Sequence, residues 1–76
     1  MKALVIGAST EAVHAIQIAK RQGYEVIALD GDPEAGGLQA ADRAFCVDIR
    51  SPQAVYLLLE KEGIRPDVIL PVPIGR

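Results

Sequence analysis

Apolar residues form four short runs along the chain, each with the length of a β-strand. The runs are residues 3–6, 25–29, 43–47 and 67–72. The first, second and fourth are almost continuously apolar, which is typical of parallel strands covered on both faces. The pattern therefore predicts a parallel sheet with helices packed on its two sides.

Two helices are predicted between these strands. Residues 10–22 carry apolar side chains at helical spacing, and Ser9 or Thr10 is the predicted N-cap. In the second helix Ser51 is the predicted N-cap and Pro52 occupies the first helical position. Each helix ends before a glycine, Gly23 for the first and Gly63 for the second.

The order of these elements predicts an α/β fold. Strands alternating with helices indicate a small Rossmann-like, doubly wound parallel sheet of four strands in the order 3-2-1-4, with two main helices. Residues 31–42 form the loop-rich part, in which residues 38–41 are predicted to form one helical turn. Right-handed crossovers place the two main helices on opposite faces. Tyr56 and Leu57 lie off the apolar stripe of the second helix, so we expect residues 1–76 to be one incomplete domain.

Composition narrows the function classes. The chain has 76 residues, a net charge of −2, three aromatic residues and a single cysteine. These values argue against nucleic-acid binding, an internal disulfide or a thiol-based zinc site. The apolar runs are too short for a signal peptide or a membrane span, so a cytoplasmic protein without membrane partners is expected.

The loop after the first strand carries the most informative chemistry. A complete dinucleotide fingerprint, G-x-G-x-x-G, requires three glycines, but only Gly7 is present, and Ser9 and Ala12 replace the other two. Backbone N–H groups, two hydroxyls and a carboxylate from Gly7, Ser9, Thr10 and Glu11 could hold a phosphate or carboxylate ligand. A plain strand-to-helix turn explains the loop equally well.

Asp30 ends the second strand and has two interpretations. It follows Gly7 by 23 residues, close to the spacing at which NAD proteins place the acid that binds a ribose hydroxyl. Alternatively, Asp30 and Asp32 cap a turn that begins at Asp32 and Pro33. The second interpretation is slightly favoured. No catalytic or metal-binding residue is predicted, since His14 is the only histidine and Cys46 is interpreted as a small core residue.

An ordered series of short motifs covers essentially the whole chain and resembles the N-terminal, pre-ATP-grasp domain of the ATP-grasp ligases. This family includes carbamoyl-phosphate synthase large subunits, biotin carboxylase and the glycinamide ribonucleotide enzymes. The motifs are Val5-Ile6-Gly7-Ala8, the run from Gly23 to Asp30, Asp32-Pro33, Ala41-Asp42-Arg43-Ala44-Phe45, Val47-Asp48-Ile49 and Pro66-Asp67-Val68-Ile69-Leu70-Pro71.

The resemblance implies part of an enzyme that activates a carboxylate with ATP and transfers it to an amine. ATP and magnesium are bound mainly by later domains of such enzymes, so this chain is expected to bind neither alone and to be inactive by itself. Its expected partners are the ATP-grasp domains of a parent chain and a small-molecule substrate. The implied substrate contacts are Ser9, Thr10 and Glu11 in the first loop, and Pro73, Ile74 and Gly75 after the fourth strand.

Two departures from the family pattern leave the substrate open, and two other function classes also stay open. The glycinamide ribonucleotide members carry a Gly-Glu-Leu-Gly type run in the first loop and a glutamate in the last, and this chain has neither. A regulatory Rossmann module that binds NAD through Gly7 and Asp30 is one alternative. A free-standing module that forms a homodimer through its uncovered face is another.

Overall fold

The computed structural model describes residues 1–71. Four strands and three helices alternate along them. The strands are β1 (Lys2–Ile6), β2 (Glu25–Asp30), β3 (Arg43–Cys46) and β4 (Val68–Pro71). The helices are α1 (Ala12–Arg21), α2 (Gly36–Ala40) and α3 (Pro52–Glu62).

The four strands form one parallel sheet in the order β3-β2-β1-β4, as the sequence predicted. Ala3 lies opposite Val26 on one side and opposite Val68 on the other. At the amino end of the sheet, Asp67 joins β1 to β4: its carboxylate accepts the N–H of Lys2 at 2.7 Å, and its own N–H donates to the Lys2 carbonyl at 2.8 Å. These bonds fix the register of β1 against β4.

The two long helices begin differently. Ser51 caps α3 as predicted, since its Oγ accepts the N–H of Ala54 at 3.2 Å. The predicted cap of α1 was wrong: Glu11 occupies the N-cap position and no side chain caps the helix. The backbone carbonyls of Ser9 and Thr10 instead accept the N–H groups of the first two helical residues, at 2.9 and 3.2 Å. A backbone turn therefore replaces the side-chain cap.

The loop-rich segment contains a helix that begins earlier than predicted, at Gly36 rather than at residue 38. The helix α2 has only five residues. Cys46 ends the edge strand β3 and is exposed, with Sγ 3.5 Å from the Gly31 carbonyl oxygen. The prediction that this cysteine belongs to the core was wrong.

Each face of the sheet has its own hydrophobic cluster. The α1 face holds a cluster of seven buried residues: Val5, Ala8, Ala12, Ile16, Ala19, Val26 and Ala28. Residues of α2 pack against the same cluster. The α3 face holds four buried residues, Leu4, Ile27, Leu29 and Ile64, against which Val55, Leu58 and Leu59 of α3 pack while remaining half-buried. The helices thus lie on the faces that right-handed crossovers require.

Apolar surface remains uncovered near β4 on both faces. Ile69 shares the α3 face with Leu4 and is 56% exposed, and Tyr56 and Leu57 of α3 are 60% and 58% exposed. The α1 face carries an apolar groove of about 380 Å³, which the sequence did not predict. Its lining includes Ile18, Tyr24, Val68 and Leu70. Within residues 1–71, no helix has the length and apolar character that crossing a membrane demands.

Candidate functional site

The loops after β1 and β2 meet at the carboxyl edge of the sheet, beside the point where strand order reverses between β1 and β4. Ligands of open α/β sheets bind at this position. The first loop runs from residue 7 to residue 11, and the second from residue 31 to residue 35, where α2 follows. The topology therefore brings Gly7, Ser9, Thr10, Glu11 and Asp30 to one edge, as the sequence predicted.

Gly7 supplies the sharp turn out of β1. Its φ of +92° lies where a side chain is strongly disfavoured. The same residue donates its N–H to the Leu29 carbonyl at 2.8 Å, which continues the pairing of β1 and β2 by one residue. Glycine is thus required here by the backbone, independently of any ligand.

Ala8 is fully buried, and its two backbone polar groups have partners at the end of β2 and in α2. Its N–H donates to Oδ2 of Asp30 at 2.7 Å. Its carbonyl oxygen accepts the N–H of Gly37 at 2.7 Å. The N–H of Ala8 is therefore already committed within the protein.

Asp30 uses its carboxylate to join the two loops. While Oδ2 accepts the Ala8 N–H, Oδ1 accepts the N–H of Asp32 at 2.8 Å. Asp32 repeats the motif one step further, with Oδ1 accepting the N–H of Glu34 at 2.9 Å. These bonds give both aspartates the turn-capping contacts of the second sequence interpretation.

Ser9, Thr10 and Glu11 are exposed at the start of α1. Within residues 1–71 their N–H groups have no hydrogen-bond acceptor. The first turn of α1 contains no acidic residue, and Glu11 at the N-cap places one carboxylate beside the positive end of the helix. Three successive N–H groups in this position suit an anionic group. The predicted contacts Pro73, Ile74 and Gly75 lie outside the described residues.

The sequence also draws attention to His14 and to possible metal-binding clusters. His14 is exposed on α1. In the part of the chain that the structure describes, no group of three His, Cys, Asp or Glu side chains could hold a metal ion. Sequence reasoning missed Gly37, although the Gly36-Gly37 pair was a visible signal of a close backbone approach.

Comparison with known proteins identifies relatives of this chain. The chain is 36% identical over 70 residues to the formate-dependent phosphoribosylglycinamide formyltransferases of Burkholderia cenocepacia, Burkholderia orbicola and Burkholderia mallei. The match covers 92% of this chain and 17% of each relative. The resemblance to the ATP-grasp ligases is thereby confirmed. Among the groups named from the sequence, the glycinamide ribonucleotide enzymes are the ones that these relatives represent.

A solved structure supports the observed fold. A glycinamide-RNase-transformylase T from Mycobacterium tuberculosis superimposes with a TM-score of 0.84 at 20% sequence identity. It matches 96% of this chain, which spans 20% of that protein. At this identity the match concerns the fold alone, a Rossmann-like parallel sheet. No family model matches the chain.

Proposed function

We propose that this chain is the substrate-side N-terminal domain of an ATP-dependent carboxylate–amine ligase. The observation that carries the proposal is the 36% identity over 92% of the chain to formate-dependent phosphoribosylglycinamide formyltransferases. Those enzymes are named for a carboxylate, formate, and for an amine, phosphoribosylglycinamide. The corresponding substrate class for this protein is a phosphorylated amine that accepts an activated carboxylate.

The first loop offers groups that suit such a substrate. The open N–H groups of Ser9, Thr10 and Glu11 would hold a phosphate oxygen at the positive end of α1. The exposed carboxylate of Glu11 would pair with a protonated amine. Pro73, Ile74 and Gly75 would supply the second side of the site. Asp30 acts on the loop rather than on the substrate, since both of its oxygens accept backbone N–H groups.

ATP and magnesium belong, in this proposal, to the remainder of a parent enzyme. Residues 1–71 contain no cluster of carboxylates, histidines and cysteines that could hold a metal ion. In this proposal the chain contributes substrate contacts and no catalytic group, and the ATP-grasp domains of the parent are its partners. A cytoplasmic location accompanies such a biosynthetic role.

The preferred experiment is a titration of the ¹⁵N-labelled chain, followed by the amide resonances of residues 9–11. We expect saturable shifts at these residues with 5-phosphoribosylglycinamide and none with NADH. Thr10→Ala keeps the backbone donors and serves as a test of the hydroxyl, while His14→Ala on the exposed side of α1 is the matched control. Saturable binding of NADH, with no response to the phosphorylated amine, would support a regulatory nucleotide-binding module instead.

A second, independent test is to read the coding sequence that follows codon 76 in the genome. An ATP-grasp module in the same reading frame is the expected result. A transporter in that frame would contradict the ligase proposal.

A further inference from the structure

We propose that Asp30 and Gly37 are positioning residues that hold the peptide groups on both sides of Ala8, and thereby aim the N–H of Ser9 at the ligand. The ligand's identity as a phosphate-bearing compound rests on the proposed function. The arrangement of the clamp itself rests only on distances within this chain. We call Asp30, Ala8 and Gly37 together the Ala8 clamp.

The first half of the clamp is the carboxylate of Asp30. It accepts the Ala8 N–H at 2.7 Å and the Asp32 N–H at 2.8 Å, so it fixes the Gly7–Ala8 peptide relative to the second loop. A hydrogen bond to an ionised acceptor is stronger than one between neutral groups. Because Gly7 can adopt many backbone conformations, this bond restricts the loop where the chain itself does not.

The second half is the N–H of Gly37, which donates to the Ala8 carbonyl at 2.7 Å. In a trans peptide the C=O and the following N–H point in opposite directions within one plane. The Ala8 carbonyl and the Ser9 N–H belong to the same peptide. Gly37 therefore turns the Ser9 N–H away from α2, toward the open side of the loop.

Only glycine fits at position 37. A Cβ there would lie 2.6 Å from the Ala8 oxygen and 2.9 Å from the Ala8 carbonyl carbon, both backbone atoms that cannot rotate away. At the neighbouring Gly36, a Cβ would meet Thr10 Oγ1 at 3.5 Å, an ordinary contact distance. The two glycines thus provide a matched pair: one substitution must displace the first loop and the other need not.

The clamp is tested with two substitutions and their matched controls. Gly37→Ala is compared with Gly36→Ala, and Asp30→Asn with Asp32→Asn. An asparagine side chain offers one acceptor oxygen, and its NH₂ group would face the other N–H. Asp30→Asn therefore removes one of the two bonds and also the negative charge that strengthens the other. Ile64→Val, at a buried position on the α3 face, lowers stability from the opposite side of the sheet and shows how much of any effect is global.

The first readout needs no ligand and combines amide hydrogen exchange at Ala8 with the amide chemical shift at Ser9. We expect exchange at Ala8 to accelerate about tenfold relative to the controls in Gly37→Ala and Asp30→Asn, because the hydrogen bonds that hold its peptide are weakened. We expect the Ser9 amide shift to change in the same two variants. Unchanged Ala8 and Ser9 amides in both variants would overturn the clamp. Asp30→Asn carries the test if Gly37→Ala proves unfolded by circular dichroism.

The second readout is the affinity for 5-phosphoribosylglycinamide, with inorganic phosphate as the smaller probe. We expect affinity to fall about tenfold in the two clamp variants and to change less than about twofold in the controls, since the Ser9 donor loses its orientation. If the native chain binds neither probe, the proposed function fails and the amide readout alone decides the clamp. If the native chain binds and all variants bind equally, the positioning role is wrong while the proposed function stands.

Discussion

The two faces of the sheet are built from different side chains and are covered to different degrees. On the α1 face, four of the seven buried residues are alanines, and Ala8, Ala12 and Ile16 are completely inaccessible. On the α3 face, the four buried residues are leucines and isoleucines, and no residue of α3 itself is fully buried. The small residues let α1 and the first loop approach the sheet closely, whereas α3 rests on a thicker aliphatic layer.

This difference separates the region that shapes the candidate site from the region that contributes general stability. Ala8 belongs both to the α1-face cluster and to the first loop, so packing on that face sets the position of the loop backbone. The α3 face includes Leu29, whose backbone carbonyl accepts the Gly7 N–H, but α3 packs on the opposite side of the sheet from the cluster that contains Ala8. We therefore expect substitutions on the α1 face to be more costly and to affect the loop.

The largest expected effect is that of Ile16→Ala. Ile16 is completely buried in the α1-face cluster, and removing its branched side chain leaves a cavity that the surrounding alanines cannot fill. We expect the free energy of unfolding to fall by about 2–5 kcal/mol, measured by urea denaturation, and Ile16→Val to cost about 0.5–1.5 kcal/mol.

Leu58→Ala is the control on the opposite face. Leu58 is half-buried, so the side chains around it can relax toward the deleted volume and water can reach it. We expect its cost to be less than half that of Ile16→Ala. Equal losses for the two variants would show that the faces do not differ in packing as the exposures indicate.

A smaller effect is expected at the helix starts, where the faces also differ. Ser51→Ala removes the hydrogen bond from the Ala54 N–H to the Ser51 hydroxyl, which caps the first turn of α3, so we expect a loss of about 1 kcal/mol. Ser9→Ala should change the free energy of unfolding by less than about 0.5 kcal/mol, because only the Ser9 backbone carbonyl takes part in the α1 turn. A loss for Ser9→Ala as large as that for Ser51→Ala would mean that the serine hydroxyl caps α1 in solution. Both values come from the same urea series.

The same contrast explains what could be predicted from the sequence. Strand positions, strand order and the boundaries of α3 follow from apolar runs, crossover handedness and the Ser51-Pro52 and Gly63 signals, all of which are local or topological. The contact of Gly37 with Ala8 joins residues 29 positions apart through backbone atoms, and no periodicity encodes it. Cys46 was misassigned because β3 lies at the edge of the sheet, where the alternation of side chains does not show whether a face is covered.

The exposed apolar residues of α3 should contribute little to the stability of the chain. Leu57 is 58% exposed, so Leu57→Ala is expected to change the free energy of unfolding by less than about 0.5 kcal/mol. The measurement is made at two protein concentrations that differ about a hundredfold, since association stabilises folded chains by mass action. A cost that grows with concentration would mean that a second copy covers this face. Gln53→Ala, on the exposed first turn of α3, is the matched control.

The smallest effect concerns the loop that leads into α3. Oδ1 of Asp48 accepts two hydrogen bonds, from the backbone N–H of Arg50 at 3.0 Å and from the Arg50 guanidinium at 3.2 Å. The backbone bond first, and the guanidinium second, lower the pKa of the Asp48 carboxyl below its usual value. A lowered folded-state pKa gives stability that is present above the unfolded pKa, about 3.9, and is lost as the pH falls through the folded value.

Arg50→Ala removes the side-chain donor and leaves the backbone donor, so we expect the pKa of Asp48 to rise only part of the way toward the usual aspartate value. The titration is followed by the ¹³C resonance of the Asp48 carboxyl, with Arg65→Ala as a control that leaves it unchanged. A complete return to the usual aspartate value would show that the guanidinium, and not the backbone N–H, is the main cause of the lowered pKa.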